Sequence, residues 1–299
     1  MNQENQEPAI HGIPNATGFG CWFAALTQCL FRKPEIREAI LNFDPESLHL
    51  DLEASSGSID AITTFKYLKE HFLALMECED TLLNPQLKIT PEKEHKLDNT
   101  KLLESLRLSG EQFWTRTKNS GYDSRAGLDA LCEMFSNIGQ VNPNSFNKIS
   151  SPLKDFLFID QKKIDTCHSS PYLYVSSTFE AAVLSQIENC LYLPKYIVLS
   201  VQKHNKDLLN PPKELNLPEP FDFILSDKNI ENCSTKVHYS VWAYVLYLNE
   251  KGEHAISLVN TKNAGWVLFD DLSTKQFDIK SVHFTNMFWP PLIFYSRDE

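Results

Sequence analysis

The feature that most constrains how this chain folds is a change of hydrophobic period near its middle. In the N-terminal half apolar residues recur at helical spacing: Phe23, Leu26 and Leu30 predict a helix over Trp22–Phe31. Pro34 suits the first turn of a second helix running to Leu41. Ile59–Met76 and Asn99–Trp114 also read as helices, divided by a polar, charged stretch from Asn84 to Asp98. Gly127–Ile138 predicts another, ended by Gly139. The C-terminal half consists of short aromatic and β-branched runs bounded by Pro, Gly, Asn and Asp: Phe156–Ile159, Tyr172–Val175, Tyr196–Val201, Val241–Tyr247, Ala255–Val259, Trp266–Phe269 and Leu292–Tyr295. One helix, Thr178–Asn189, interrupts them, and the proline-containing, charged stretch Asn205–Lys236 predicts loops or an irregular hairpin. Helices first and strands later indicate an α+β fold and not an alternating parallel sheet.

With 299 residues, 42% of them hydrophobic, a sizeable core is expected. No apolar run approaches the roughly 20 residues of a membrane span, and Met1–Glu7 is polar and acidic, unlike a signal or transit peptide. The net charge of -11 disfavours broad attraction to nucleic acid or anionic lipid. A basic protein or peptide partner fits it better, although acidity also serves solubility alone. Seven cysteines, at 21, 29, 78, 132, 167, 190 and 233, are odd in number and irregular in spacing, which indicates a reducing, cytosolic compartment. There is no CxxC pair. Cys167-His168 is the only adjacent Cys/His couple, and a tetrahedral zinc would need two more ligands from elsewhere. No metal or cofactor is expected.

Asn15-Ala-Thr-Gly-Phe-Gly-Cys21-Trp22 carries the strongest chemical signal. Two glycines make a tight turn, and a cysteine stands where the helical pattern begins. The positive end of a helix dipole favours thiolate and lowers the thiol pKa there, as a nucleophile requires. Taken alone, the segment equally fits a small buried cysteine. In the C-terminal region His254 opens one predicted strand and Asp270-Asp271 ends the next, with a turn at Lys262–Gly265 between them. A histidine and an aspartate so placed can lie side by side, the carboxylate fixing the imidazole tautomer. Taken alone, His254 also fits a surface turn and the aspartates a solvated strand end. Because Asp270 and Asp271 are adjacent at a strand end, their side chains are expected on opposite faces, with one facing the histidine.

Gly12-Ile-Pro-Asn15 through Cys21-Trp-Phe-Ala-Ala-Leu26-Thr-Gln28-Cys-Leu30 resembles the cysteine box of ubiquitin-specific proteases, roughly G-L-x-N-x-G-x-x-C-Y-x-N-x-x-L-Q-x-L. Three further segments follow in the family's order. Tyr122–Arg125 with Leu128 and Leu131 resembles the Q-D-A-x-E-F-L element, and Leu193–Lys203 the L-P-x-x-L-x-x-x-L-x-R-F strand. Tyr239–Val241, Gly252–His254, Trp266–Asp271 and Pro291–Tyr295 resemble the histidine box and closing strand. The similarity spans nearly the whole chain.

The resemblance implies one catalytic domain, 1–299, with a papain-like hand. A helical thumb (about 8–150) would carry Cys21, and a β-rich palm with short fingers (about 151–299) would carry His254 and Asp270. It implies Cys21 as nucleophile, His254 as general base, Asp270 as orienting carboxylate, Asn15 as an oxyanion donor and Asp271 as the alternative or auxiliary carboxylate. The implied activity is thiol-dependent hydrolysis of isopeptide bonds at the C-terminal glycine of ubiquitin. The implied partner is ubiquitin or a ubiquitin-like modifier and its conjugates, with the chain itself a monomer. A protease for another modifier such as SUMO, and an inactive ubiquitin-binding protein of the same fold, are the alternatives. A cytoplasmic compartment is expected, with the nucleus or the inside of a host cell as alternatives. The pattern departs in places: one extra residue separates Asn15 from Cys21, Ala126 and Gly127 replace glutamate and phenylalanine, and Glu253 and Ala255 flank the histidine.

Overall fold

The computed structural model describes residues 10–15, 20–44, 56–84, 88–109, 124–139, 159–163, 166–170, 172–175, 179–188, 190, 192–201, 211–218, 230–248, 254–281, 284–285 and 288–298. The chain forms two compact units, Met1–Pro152 with His254–Ser281, and Leu153–Glu253 with Val282–Glu299. The units are thus not simply the two halves of the sequence: His254–Ser281 belongs with the helices. Mixed α and β structure is present, as expected.

The first unit contains helices α1 (Cys21–Phe31), α2 (Pro34–Asn42), α3 (Ser56–Leu83), α4 (Pro91–Lys96), α5 (Thr100–Ser109) and α6 (Ser124–Gly139). Every residue of α1 is buried, which suits a helix with no polar face. Thr27 and Gln28 are accommodated because the Thr27 hydroxyl donates to the Phe23 carbonyl and the Gln28 amide to that of His11. Phe72 of α3 meets the Phe31 ring of α1 edge-on at 5.2 Å, and Phe65 of α3 meets Phe135 of α6 at 6.1 Å, all four fully buried. α6 comes close to α1 at Gly127, where a Cβ would fall 2.3 Å from the Trp22 ring.

Two helical features differ from expectation. α3 runs seven residues past Met76 to Leu83, its tail masked in the sequence by Glu77, Glu79 and Asp80. The stretch expected to be polar connection contains α4, started by Pro91 behind Thr90, whose hydroxyl accepts from the Lys93 N–H. Tyr122, Asp123, residues 110–114 of the predicted Asn99–Trp114 helix and Phe156–Phe158 lie outside the described residues.

His71 of α3 is 3% exposed, and neither ring nitrogen has a hydrogen-bond partner. Burial pushes its pKa down from 6.5 to about 4, against the pull of Asp98. A base whose folded pKa lies below its unfolded one contributes stability that is complete above the unfolded value and is lost as pH falls towards the folded one. The window is therefore pH 6.5 down to about 4, and the full loss is about 3 kcal/mol at 1.36 kcal/mol per unit. Urea unfolding of wild type and His71→Leu should show the gap between them move by about that much in the variant's favour from pH 7.5 to pH 4. A pH-independent gap would contradict this.

The unit ends in an antiparallel meander of β7 (His254–Thr261), β8 (Gly265–Asp270) and β9 (Ser273–Gln276). Thr261 pairs with Gly265 and Ser257 with Phe269, so the Lys262–Ala264 turn fixes the register. Gly265 has φ +67, a left-handed conformation that favours glycine.

The second unit contains the β1–β2 hairpin (Ile159–Lys163, Thr166–Ser170), then β3 (Leu173–Val175), α7 (Phe179–Ile187), β4 (Tyr196–Val201), β5 (Glu214–Pro218), β6 (Lys236–Leu248) and β10 (Phe288–Arg297). β10 lies between β4 and β6, antiparallel to both, and β5 pairs with β6. β3 and β4 are parallel, joined across α7, a local βαβ step inside an otherwise antiparallel arrangement. Register slips between Trp289 and Leu292, where Pro290 and Pro291 have no N–H to donate. β5 falls in the stretch expected to be loop or irregular hairpin; exposed Glu214 and Asn216 alternate with buried Leu215 and Leu217. Cys167 and His168 lie in β2, and their side chains are outside those described.

Candidate active site

Cys21 is the first residue of α1. Gly20 caps the helix, its carbonyl accepting from the N–H groups of Phe23 and Ala24 at 3.0 and 2.9 Å, with no side-chain cap. The Cys21 side chain is turned into the protein, and the residue is 6% exposed. Its sulfur accepts from the backbone N–H of Ala255 and of its own first turn. Ala255 follows His254, so the opening of β7 meets the start of α1 at the thiol. The expectation of a depressed thiol pKa is not met. Burial pushes the Cys21 thiol up and the charge of Asp271 adds to that, outweighing the N–H groups that lower it. The helix terminus acts as predicted, but desolvation of the charged form is larger.

His254 Nε2 lies 2.6 Å from Asp270 Oδ1. The hairpin register explains the pairing: both residues stand near its open end, on the face opposite to the paired Ser257 and Phe269. With Nε2 held by the carboxylate, Nδ1 is the nitrogen left for proton transfer.

Asp271 departs from the expected geometry. It is the first of two residues in the turn between Asp270 and Ser273, with φ +50, a left-handed conformation that aspartate tolerates better than most residues. Strand alternation ends before it, so the two aspartates do not point to opposite faces. Ligand-type atoms of His254, Asp270 and Asp271 all lie within 4.8 Å of one another. That spacing would also admit a cation, although the direct bond of the imidazole is to Asp270. Burial raises the Asp271 carboxyl above its usual range and Asp270 adds to this, while His254 and the Asn15 amide pull it down.

Asn15 is engaged at both ends. Its Oδ1 accepts from the Gly20 N–H at 2.8 Å, and its Nδ2 donates to Asp271 Oδ2 at 3.4 Å. It braces the turn before Cys21 against the Asp271 turn. The Ile13 N–H donates to the Asp271 carbonyl at 3.0 Å, and Gly12 lies so close that a Cβ would fall 2.2 Å from that carbonyl oxygen.

Behind this segment sits a buried ion pair that the sequence reading missed. Arg32, which caps the C-terminus of α1, donates to the Glu79 carboxylate of α3, to Gln28 Oε1 at 3.0 Å and to the His11 carbonyl at 2.9 Å. Glu79 also accepts from the His11 N–H at 3.0 Å. The guanidinium lies over the Phe31 and Phe269 rings, 5.0 and 4.9 Å from their centroids. A cavity of about 590 Å³ lies among α3, α4 and α5, lined by His71, Tyr67 and Leu102 among others, and by none of the residues above.

No protein-family profile and no curated protein matches the chain. Solved structures do match. One is a chain of the SAGA Ubp8/Sgf11/Sus1/Sgf73 DUB module bound to ubiquitin aldehyde, 13% identical at TM-score 0.60 over 98% of this chain and 70% of that one. Another comes from the same module with a substituted Ubp8, bound to monoubiquitin, 12% identical at TM-score 0.57 over 100% and 71%. At that identity the likeness is one of fold: this chain has a fold similar to that of the ubiquitin-specific protease Ubp8.

Proposed function

We propose that this chain is a thiol-dependent deubiquitinase that hydrolyses isopeptide bonds at the C-terminal glycine of ubiquitin. The observation that carries the reading is the gathering of thiol, imidazole and carboxylate at the start of β7. There Ala255 N–H meets the Cys21 sulfur and His254 is bonded to Asp270. The Ubp8-like fold supports a helical thumb carrying Cys21 and a ubiquitin-type substrate.

The Cys21 thiol passes its proton to His254 Nδ1, and the thiolate attacks the glycine carbonyl carbon. The tetrahedral oxyanion collapses as Nδ1–H protonates the departing lysine amine, which leaves a thioester. Water, giving a proton to Nδ1, attacks the thioester; the carboxylate product leaves and the thiol is restored. Asp270 holds Nε2–H throughout, so that Nδ1 presents its lone pair. The raised thiol pKa means that this proton transfer, and not a standing thiolate, generates the nucleophile. Free cysteines across both units suit a reducing, cytoplasmic compartment.

The test is a set of modifier–propargylamide probes on the full chain. Ubiquitin probe is expected to form a covalent adduct with wild type and none with Cys21→Ala. Adduct with a SUMO probe alone would reassign the substrate, and ubiquitin binding without adduct would make the chain a binding protein.

A further inference from the structure

Asn15 spends both ends of its amide on Gly20 and Asp271. A second asparagine lies against the same glycine. A Cβ on Gly20 would stand 3.1 Å from Asn99 Oδ1 and 3.5 Å from Asn99 Nδ2, one residue before Cys21. Asn99 precedes α5, and its carbonyl accepts from the Leu103 N–H at 2.9 Å. Asp98 Oδ1 takes both the N–H and the hydroxyl of Thr100, the first residue of that helix, at 3.0 and 2.6 Å. Asn99 is 1% exposed, and its Nδ2 has no hydrogen-bond partner. A buried donor left unmet destabilises the resting protein, and its persistence calls for an acceptor that arrives later. Carbonyl attack by Cys21 creates such an acceptor beside the Gly20–Cys21 turn.

We propose that Asn99 is a catalytic residue whose Nδ2 donates to the oxyanion formed when Cys21 attacks a carbonyl, alongside the Cys21 backbone N–H. The inference rests on the acyl-transfer reading of this site and not on ubiquitin being the substrate. Asn15 then braces the turn, and Asn99 supplies the side-chain donor.

The experiment compares two reactions of Cys21 in the full chain. p-Nitrophenyl acetate acylates the thiol through an oxyanion; iodoacetamide alkylates it by displacement at carbon, with no oxyanion. Cys21→Ala gives the background of the other thiols. Asn99→Leu keeps the side chain's size and removes the unmet donor, so it should fold at least as stably as wild type; Asn99→Ala serves if it does not. Acylation is expected to fall about 10²-fold, the lower end for loss of one oxyanion donor, with alkylation unchanged. A parallel fall in both reactions, unchanged acylation, or wild-type acylation no faster than that of Cys21→Ala would overturn the proposal. Ubiquitin aldehyde run alongside separates the two readings. If wild type ignores it while Asn99→Leu loses acylation selectively, the substrate assignment fails and the donor stands. If wild type captures it and acylation is unchanged in Asn99→Leu, the donor fails and the substrate stands.

Discussion

Glu79→Gln is expected to lower stability by about 3–5 kcal/mol, the range for a buried ion pair that loses one partner. Arg32 is 6% exposed at its side chain and Glu79 15%, so little solvent is available to take over the stranded charge. Burial already lowers the Arg32 pKa and the Glu79 carboxylate opposes that effect, yet a guanidinium stays protonated. The variant therefore holds an uncompensated cation between two aromatic rings. For a protein of this size the loss corresponds to a fall in melting temperature of roughly 10 °C. Differential scanning calorimetry of Glu79→Gln, Arg32→Met and the double variant checks it. The double variant should be less destabilised than Glu79→Gln, because it has no charge left to strand. A double variant worse than the single would show that the hydrogen bonds to His11, and not the charge, dominate. Either way the effect reaches the site, since the same His11–Asn15 segment carries the contacts to Asp271.

The parts of this site legible in the sequence were those set by short-range geometry. A glycine turn before an apolar helical run put Cys21 at a helix start, and that holds. Hairpin arithmetic across Lys262–Gly265 brought His254 and Asp270 together, because a four-residue span fixes the register of everything beyond it. What failed needed distance or burial. The direction of the Cys21 pKa turned on how deeply α1 is buried, which periodicity does not report. The conformation of Asp271 turned on where β8 stops, and one residue there decides which way a side chain points. Glu79 was hidden because the charges at the end of α3 resemble a solvated connection; a partner 47 residues away explains it. β5 was hidden by prolines at both ends, although Leu215 and Leu217 give the period-two signal of an edge strand. Asn99 had no local signal, since its significance lies in meeting Gly20 from the residue before α5, far away in sequence.

The largest rate effect short of removing the thiol is expected from Asp270→Asn. The present bond, His254 Nε2 to Asp270 Oδ1 at 2.6 Å, fixes the tautomer that leaves the Nδ1 lone pair for Cys21. An asparagine can offer its N–H to Nε2 and so stabilise the opposite tautomer, with the proton on Nδ1 and no base for the thiol. On the serine-protease precedent that costs up to about 10⁴ in rate. Asp271→Asn should cost less, because Asp271 makes no direct bond to the imidazole; its contacts are to Asn15 and Ile13. It carries a second, opposite signature. Asp271's charge is one of the effects raising the Cys21 pKa, so its neutralisation should lower that pKa and shift the pH profile of iodoacetamide alkylation to lower pH. Alkylation of Asp271→Asn at pH 7 should thus be faster than that of wild type, although its turnover of substrate is slower. Single-turnover rates on a fluorogenic ubiquitin substrate, with circular dichroism to verify folding, give the first comparison, and alkylation from pH 6 to 10 gives the second. A greater loss of rate from Asp271→Asn than from Asp270→Asn would transfer the orienting role to Asp271. An alkylation profile moved upward would show that the Asp271 carboxylate acts on the thiol through the Asn15 brace and not through its charge.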